Sequence, residues 1–135
     1  MRAFTVGWIC AVALAGCDIG QFTQTKTTTE FVVSLTNQPH PIIAGQSAKI
    51  YLTLRQNRGA ASGCRTRMAI APVHATQAGT DANWRDVPEQ GGSGVYTLKD
   101  KLFPEPGEWR IDLIINCTGI DRKVDFTVTV VAPPT

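Results

Sequence analysis

Thiol, imidazole and thioether side chains, the soft metal ligands and thiolate nucleophiles, are few in this chain of 135 residues: Cys10, Cys17, Cys64 and Cys117, His40 and His74, and Met68 beyond the initiator. A thiolate metal centre or a redox dithiol needs closely spaced ligands, as in a Cys-x-x-Cys pair with a neighbouring histidine, and no such spacing occurs. There is no G-x-S-x-G elbow, no H-E-x-x-H helix, no phosphate-binding loop and no cysteine–histidine pair with a third group to orient it. The acidic residues Asp81, Asp86, Glu89, Glu105, Glu108 and Asp112 are scattered through loops and outward strand positions, where carboxylates serve solubility. The expectation is a protein that is not an enzyme and carries no cofactor. A metal-handling alternative remains, since copper(I) favours thioether and imidazole ligands and Met68 and His74, with His40, are the residues that would supply them. Met68, however, falls on the inward phase of a strand, where methionine fills core gaps, and both histidines fall in loop segments.

The elements that must position these residues are strands. Twelve glycines and eight prolines punctuate a body rich in Thr and Val, and β-branched residues suit a pleated surface between such breaks. The length suffices for one domain. Thirteen basic residues against eleven acidic ones leave a net charge of +2, too little for a nucleic-acid partner, whose phosphates call for clustered basic residues.

Residues 1–17, MRAFTVGWICAVALAGC, carry Arg2, then an apolar stretch from Phe4 to Leu14, then small residues up to a cysteine. The stretch falls short of the roughly 20 apolar residues a bilayer span needs and has the layout of an export signal. Leu14-Ala15-Gly16-Cys17 resembles the bacterial lipobox. That resemblance implies cleavage after Gly16 and acyl groups, palmitate among them, on Cys17; an ordinary secretory peptide would instead leave Cys17 as a free thiol. Two or more acyl chains anchor a protein stably. Asp18 resembles the sorting signal that retains a lipoprotein in the inner membrane, so the expected location is the cell membrane, facing the periplasm. The division expected is a signal peptide over 1–16, a lipidated and flexible tether over 17–29, a folded domain over 30–131 and a tail over 132–135.

With Cys10 removed and Cys17 acylated, Cys64 and Cys117 remain, an even pair in an oxidising compartment. Strands are predicted over 30–36, 47–56, 65–72, 95–101, 108–116 and 122–131, with a weaker one over 82–88. This density predicts an all-β, immunoglobulin-like antiparallel β-sandwich of six to seven strands with one disulfide. Alternation puts Ala48, Ile50, Leu52 and Leu54 on one face of the second strand. It puts Trp109, Ile111, Leu113, Ile115 and Cys117 on one face of the fifth, and Val124, Phe126, Val128 and Val130 on one face of the last. Cys64 is in phase with Met68 and Ile70. Labelled in immunoglobulin style, Cys64 opens strand C and Cys117 closes strand F; these are antiparallel neighbours, which brings the two cysteines within bridging distance.

The segments Gly94-Val95-Tyr96 and Pro106-Gly107-Glu108-Trp109 resemble the G-x-Y and P-G-x-W pattern of small exported immunoglobulin-like domains of the YtkA-like and FixH-like type. The resemblance covers residues 45–131 and implies that Tyr96 and Trp109 are packing aromatics, with Gly107 supplying a tight turn. Some members handle copper, but the Met/His element that goes with it has no counterpart after Met68. On the surface, Arg55 and Arg58 near the B–C turn, Arg65 and Arg67 outward on strand C, and Arg110 outward on strand F share the C–F side with Ile114 and Asn116. Arginine among apolar neighbours is the composition of a protein-binding patch. The functional expectation is a membrane-anchored, non-catalytic binding or assembly module with an envelope protein partner.

Overall fold

A computed structural model describes residues 21–56, 59–75 and 84–134 of the chain. The signal segment, Cys17, Asp18, Arg58 and Asp81 lie outside the described residues. Among the described residues ten strands form two sheets. In the first, β1 (Phe22–Thr27), β2 (Val32–Gln38) and β4 (Ser47–Gln56) lie side by side, and β4 pairs on its other edge with β8 (Val95–Leu102) and the two-residue β5 (Gly59–Ala60). The second runs β3 (Ile42–Ile43), β10 (Asp121–Val131), β9 (Gly107–Asn116), β6 (Arg65–Pro72) and β7 (Arg85–Asp86).

The long strands follow from period-two alternation, since a strand between a core and solvent must turn every second side chain inward. Ala48, Ile50, Leu52 and Leu54 from one sheet meet Met68, Trp109, Ile111, Leu113, Ile115, Val124, Phe126 and Val128 from the other, all buried in one continuous core. Tyr96 and Phe103 are among its largest fully buried members, and Phe103 meets Trp109 edge to face with ring centres 5.2 Å apart. Such pairs contribute about 0.5–1.5 kcal/mol beyond the area they bury.

The first core strand changes sheets. β2 pairs antiparallel with β4, whereas β3 pairs parallel with β10; the switch runs through Gln38-Pro39-His40-Pro41, where both X–Pro bonds are cis. A leading strand shared between the sheets, with β6, β9 and β10 adjacent and antiparallel, gives the immunoglobulin-like β-sandwich expected from the sequence. The disulfide links Cys64 to Cys117 with a Cα separation of 4.2 Å. Because Arg65 is opposite Asn116, the bridge is the next rung of that ladder, within one sheet.

One expectation is corrected. Phe22–Thr27, read as part of a flexible tether, is strand β1, paired with β2 along its whole length. Hydroxyls add to its backbone ladder: Thr23 Oγ1 bonds Thr36 Oγ1 at 2.8 Å and Thr25 Oγ1 bonds Ser34 Oγ at 3.0 Å. Both faces of β1 are largely polar, so no hydrophobic alternation marks it. The weak strand over 82–88 contracts to β7 among the described residues.

Candidate partner-binding face

The outward face of the second sheet is built from rungs. Reading across β6, β9 and β10, the first is Arg65–Asn116–Asp121 and the second is Arg67–Ile114–Lys123. Below these come Ala69–Asp112–Asp125 and Ala71–Arg110–Thr127. Alternation explains the set, because the interleaved rungs, such as Met68–Leu113–Val124, are the buried ones. Arg65, Arg67, Arg110 and Ile114 therefore share one face, as the pattern required. Arg55 does not join them. It is in phase with Tyr51 and Thr53 on the outward face of β4, in the other sheet, because the chain changes sheets between β4 and β6.

The charges on this face are interleaved. Arg110 Nε is 3.2 Å from a carboxylate oxygen of Asp112, and Arg65 lies 3.9 Å from Asp86 of β7. With side chains 73% and 72% exposed, the Arg65–Asp86 pair contributes little to stability. Arg65 is exposed and Arg67 half-buried on this face, near Ile114, a half-buried aliphatic side chain on the centre strand.

Two contributors lie outside the predicted patch. Lys123 extends the Arg67–Ile114 rung onto β10. Trp84, just before β7, lines a depression of about 370 Å³ with Arg110, Asp112, Lys123 and Asp125. Ala69 points outward yet is only 3% exposed, so the β6 end of its rung is covered, while Asp125 at the β10 end stays exposed. The signal for Trp84 was an aromatic next to a short polar segment, and it became meaningful only once β7 was placed beside β6.

The upper end of the face is held by a polar network. Tyr96, buried on β8, donates its hydroxyl to the Ala61 carbonyl and accepts the Cys64 N–H, both at 3.0 Å. The Glu89 carboxylate accepts the backbone N–H groups of Gly63 and Gly94, each at 2.8 Å. Those two backbone bonds hold the Glu89 pKa below its usual 4.5, and burial pushes the Tyr96 phenol above its usual 10.0. Gly94 is required here: its φ is +78°, and a Cβ would lie 2.8 Å from the Ala60 Cβ and 3.0 Å from the Leu54 carbonyl oxygen. Together these bonds aim the segment leading into Cys64 and, through the disulfide, the register of β6 against β9.

The residues considered for copper are apart. Met68 is fully buried on the inward face of β6, whereas the His74 side chain is 75% exposed and its Nε2 bonds Glu105 at 2.8 Å. His40 stacks on Phe22 with ring centres 4.7 Å apart. Among the described residues no cluster of three or more His, Cys, Asp or Glu side chains is placed to hold a metal ion.

These features define a disulfide-pinned immunoglobulin-like domain with an arginine-bearing sheet face. No protein-family model matches the chain, and no curated protein or solved structure matches it either.

Proposed function

We propose that this protein is a lipoprotein of the bacterial cell envelope, exported by residues 1–16 and acylated on Cys17, whose domain binds an envelope protein without catalysing a reaction. The signal-like segment ending in Leu14-Ala15-Gly16-Cys17 supports the anchor. The observation that carries the binding reading is the Arg67–Ile114–Lys123 rung, an aliphatic side chain flanked by two cations in the middle of a regular sheet face. Long cationic side chains around an apolar centre can cover and desolvate a partner's apolar group while pairing with its rim carboxylates. Fold alone would not license the assignment, because sandwiches serve many roles.

The test is a photo-crosslinking residue at position 114 in the full chain expressed in its own envelope, with position 53 on the opposite sheet as control. A discrete adduct from position 114, lost in the Arg65→Glu/Arg67→Glu variant while the domain stays folded, is the expected outcome. Equal labelling from both positions, or an adduct indifferent to charge reversal, overturns it. The mass of the mature N-terminal peptide reports acylation separately.

A further inference from the structure

We propose that the end of the sandwich where β1 begins rests directly on an anionic lipid surface, holding the Arg67–Ile114 face above it. This builds on acylation of Cys17. Only four residue steps separate Cys17 from Gln21, and an extended chain covers at most about 3.3–3.6 Å per step, so the reach is about 14 Å. Gln21 is already part of the domain, its Oε1 accepting the Tyr51 hydroxyl at 3.1 Å. With β1 folded onto β2, little tether is left to lift the domain away.

The strand registers show which end this is. Phe22 opens β1, and Ser47 at the start of β4 is opposite Leu102 at the close of β8. The Gly45 N–H bonds the Phe103 carbonyl and the Ala44 N–H bonds the Val131 carbonyl, so β10 ends here too. The Val73 N–H, just past β6, bonds the Glu108 carbonyl at the start of β9. Among the described residues the exposed large hydrophobic side chains are Phe22, Val73, Leu102 and Ile120. The first three sit around this rim, on different sides of it, while Ile120 lies in the turn between β9 and β10 at the other end. A rim with apolar groups on several sides suits an end-on seat in an interface better than docking through one face.

Charge points the same way. Lys49 and Lys99 are exposed at this end of β4 and β8 and form no ion pair among the described residues, while Lys101 is half-buried with its ammonium 5.7 Å from the centre of the Phe103 ring. The acids at this end keep their charge but are tied to their own neighbours: Asp100 accepts the Ser47 hydroxyl, Glu105 bonds His74, and Glu108 accepts the Thr129 hydroxyl. Lys49 and Lys99, beside exposed aliphatic and aromatic groups, match anionic headgroups above acyl chains. The ten residues of β9, at about 3.3 Å each, then raise the Asn116 end of the face about 30 Å from the lipid.

The test reconstitutes the mature chain into vesicles of phosphatidylethanolamine and phosphatidylglycerol containing brominated phospholipid, which quenches nearby indoles. Leu102→Trp and Ile120→Trp are compared after subtracting the emission of the parent chain. The Leu102→Trp signal is expected to be quenched at least about twofold more than that of Ile120→Trp, and adding Lys49→Glu and Lys99→Glu is expected to reduce the difference. Equal quenching at both positions, or quenching insensitive to the lysines, overturns the seat while leaving acylation intact. A mature mass without acyl groups removes the anchor and this inference together.

Discussion

Arg67 of β6 and Ile114 of β9 are directly paired across the second sheet, and Ile114 is paired in turn with Lys123 of β10. Their outward placement depends on register: a slip of one residue would turn Met68 into the solvent and Arg67 into the core. The Cys64–Cys117 bridge, one rung beyond Arg65–Asn116, opposes such a slip covalently.

Replacing both bridged cysteines with serine should lower unfolding free energy by about 4 kcal/mol, from the 53-residue separation the bridge closes. Denaturant unfolding of wild type and the double variant measures it. A loss below about 1 kcal/mol would mean that the unfolded chain is scarcely constrained by the bridge.

Ile114→Asp should lower the unfolding free energy by about 1 kcal/mol, since the side chain faces outward but is half-buried on the centre strand and Asp suits a strand poorly. The same change should abolish partner crosslinking. A large stability loss instead would show Ile114 to be a packing residue, which isothermal unfolding distinguishes.

Tyr96→Phe removes a buried hydroxyl that serves both Ala61 and Cys64, leaving the Ala61 carbonyl and the Cys64 N–H without it, and should cost about 1–3 kcal/mol. The phenol's folded pKa is raised above 10.0, so its contribution is fully present below pH 10 and declines as pH rises above it. Alkaline unfolding should therefore be less steep in the variant.

Glu89 has the opposite sign. Its folded pKa is depressed by the Gly63 and Gly94 N–H groups, so its contribution is present above its usual 4.5 and lost as pH falls through the lower folded value. Glu89→Gln should flatten the acid limb of the stability profile below about pH 4.5, as followed by circular dichroism. An unchanged limb would show that other carboxylates govern acid unfolding.

Thr66→Val should raise stability by about 1 kcal/mol. The Thr66 hydroxyl is buried on the core side of β6 with no hydrogen-bond partner among the described residues, and a methyl removes that unmet donor at similar volume. Unchanged or lowered stability in thermal unfolding would mean that the hydroxyl is satisfied in solution.

Strands with one apolar face were legible in the sequence. Ser47–Gln56 and Arg65–Pro72 have the predicted bounds, because their alternation is strict and an amphipathic strand has one way to bury its apolar half. The same phase put Cys64 and Cys117 on adjoining strands and put Arg65, Arg67, Arg110 and Ile114 outward. Strand β1 was not legible: Thr, Gln and Lys on both faces leave no alternation, and its pairing depends on Thr36 and Ser34 in a strand formed elsewhere in the chain.

By itself, then, the sequence determined the all-β sandwich, the pairing of Cys64 with Cys117 and the inward or outward phase of β4, β6, β9 and β10, since these follow from local periodicity and the cost of exposing apolar faces. Only the tertiary structure decided that Arg55 faces away from Arg67, that Lys123 and Trp84 join the arginine-bearing face, and that Phe22, Val73 and Leu102 gather at one end. Those relations join residues far apart in the chain, and they depend on which sheet each strand enters and which edge it occupies, choices that alternation within a strand does not encode.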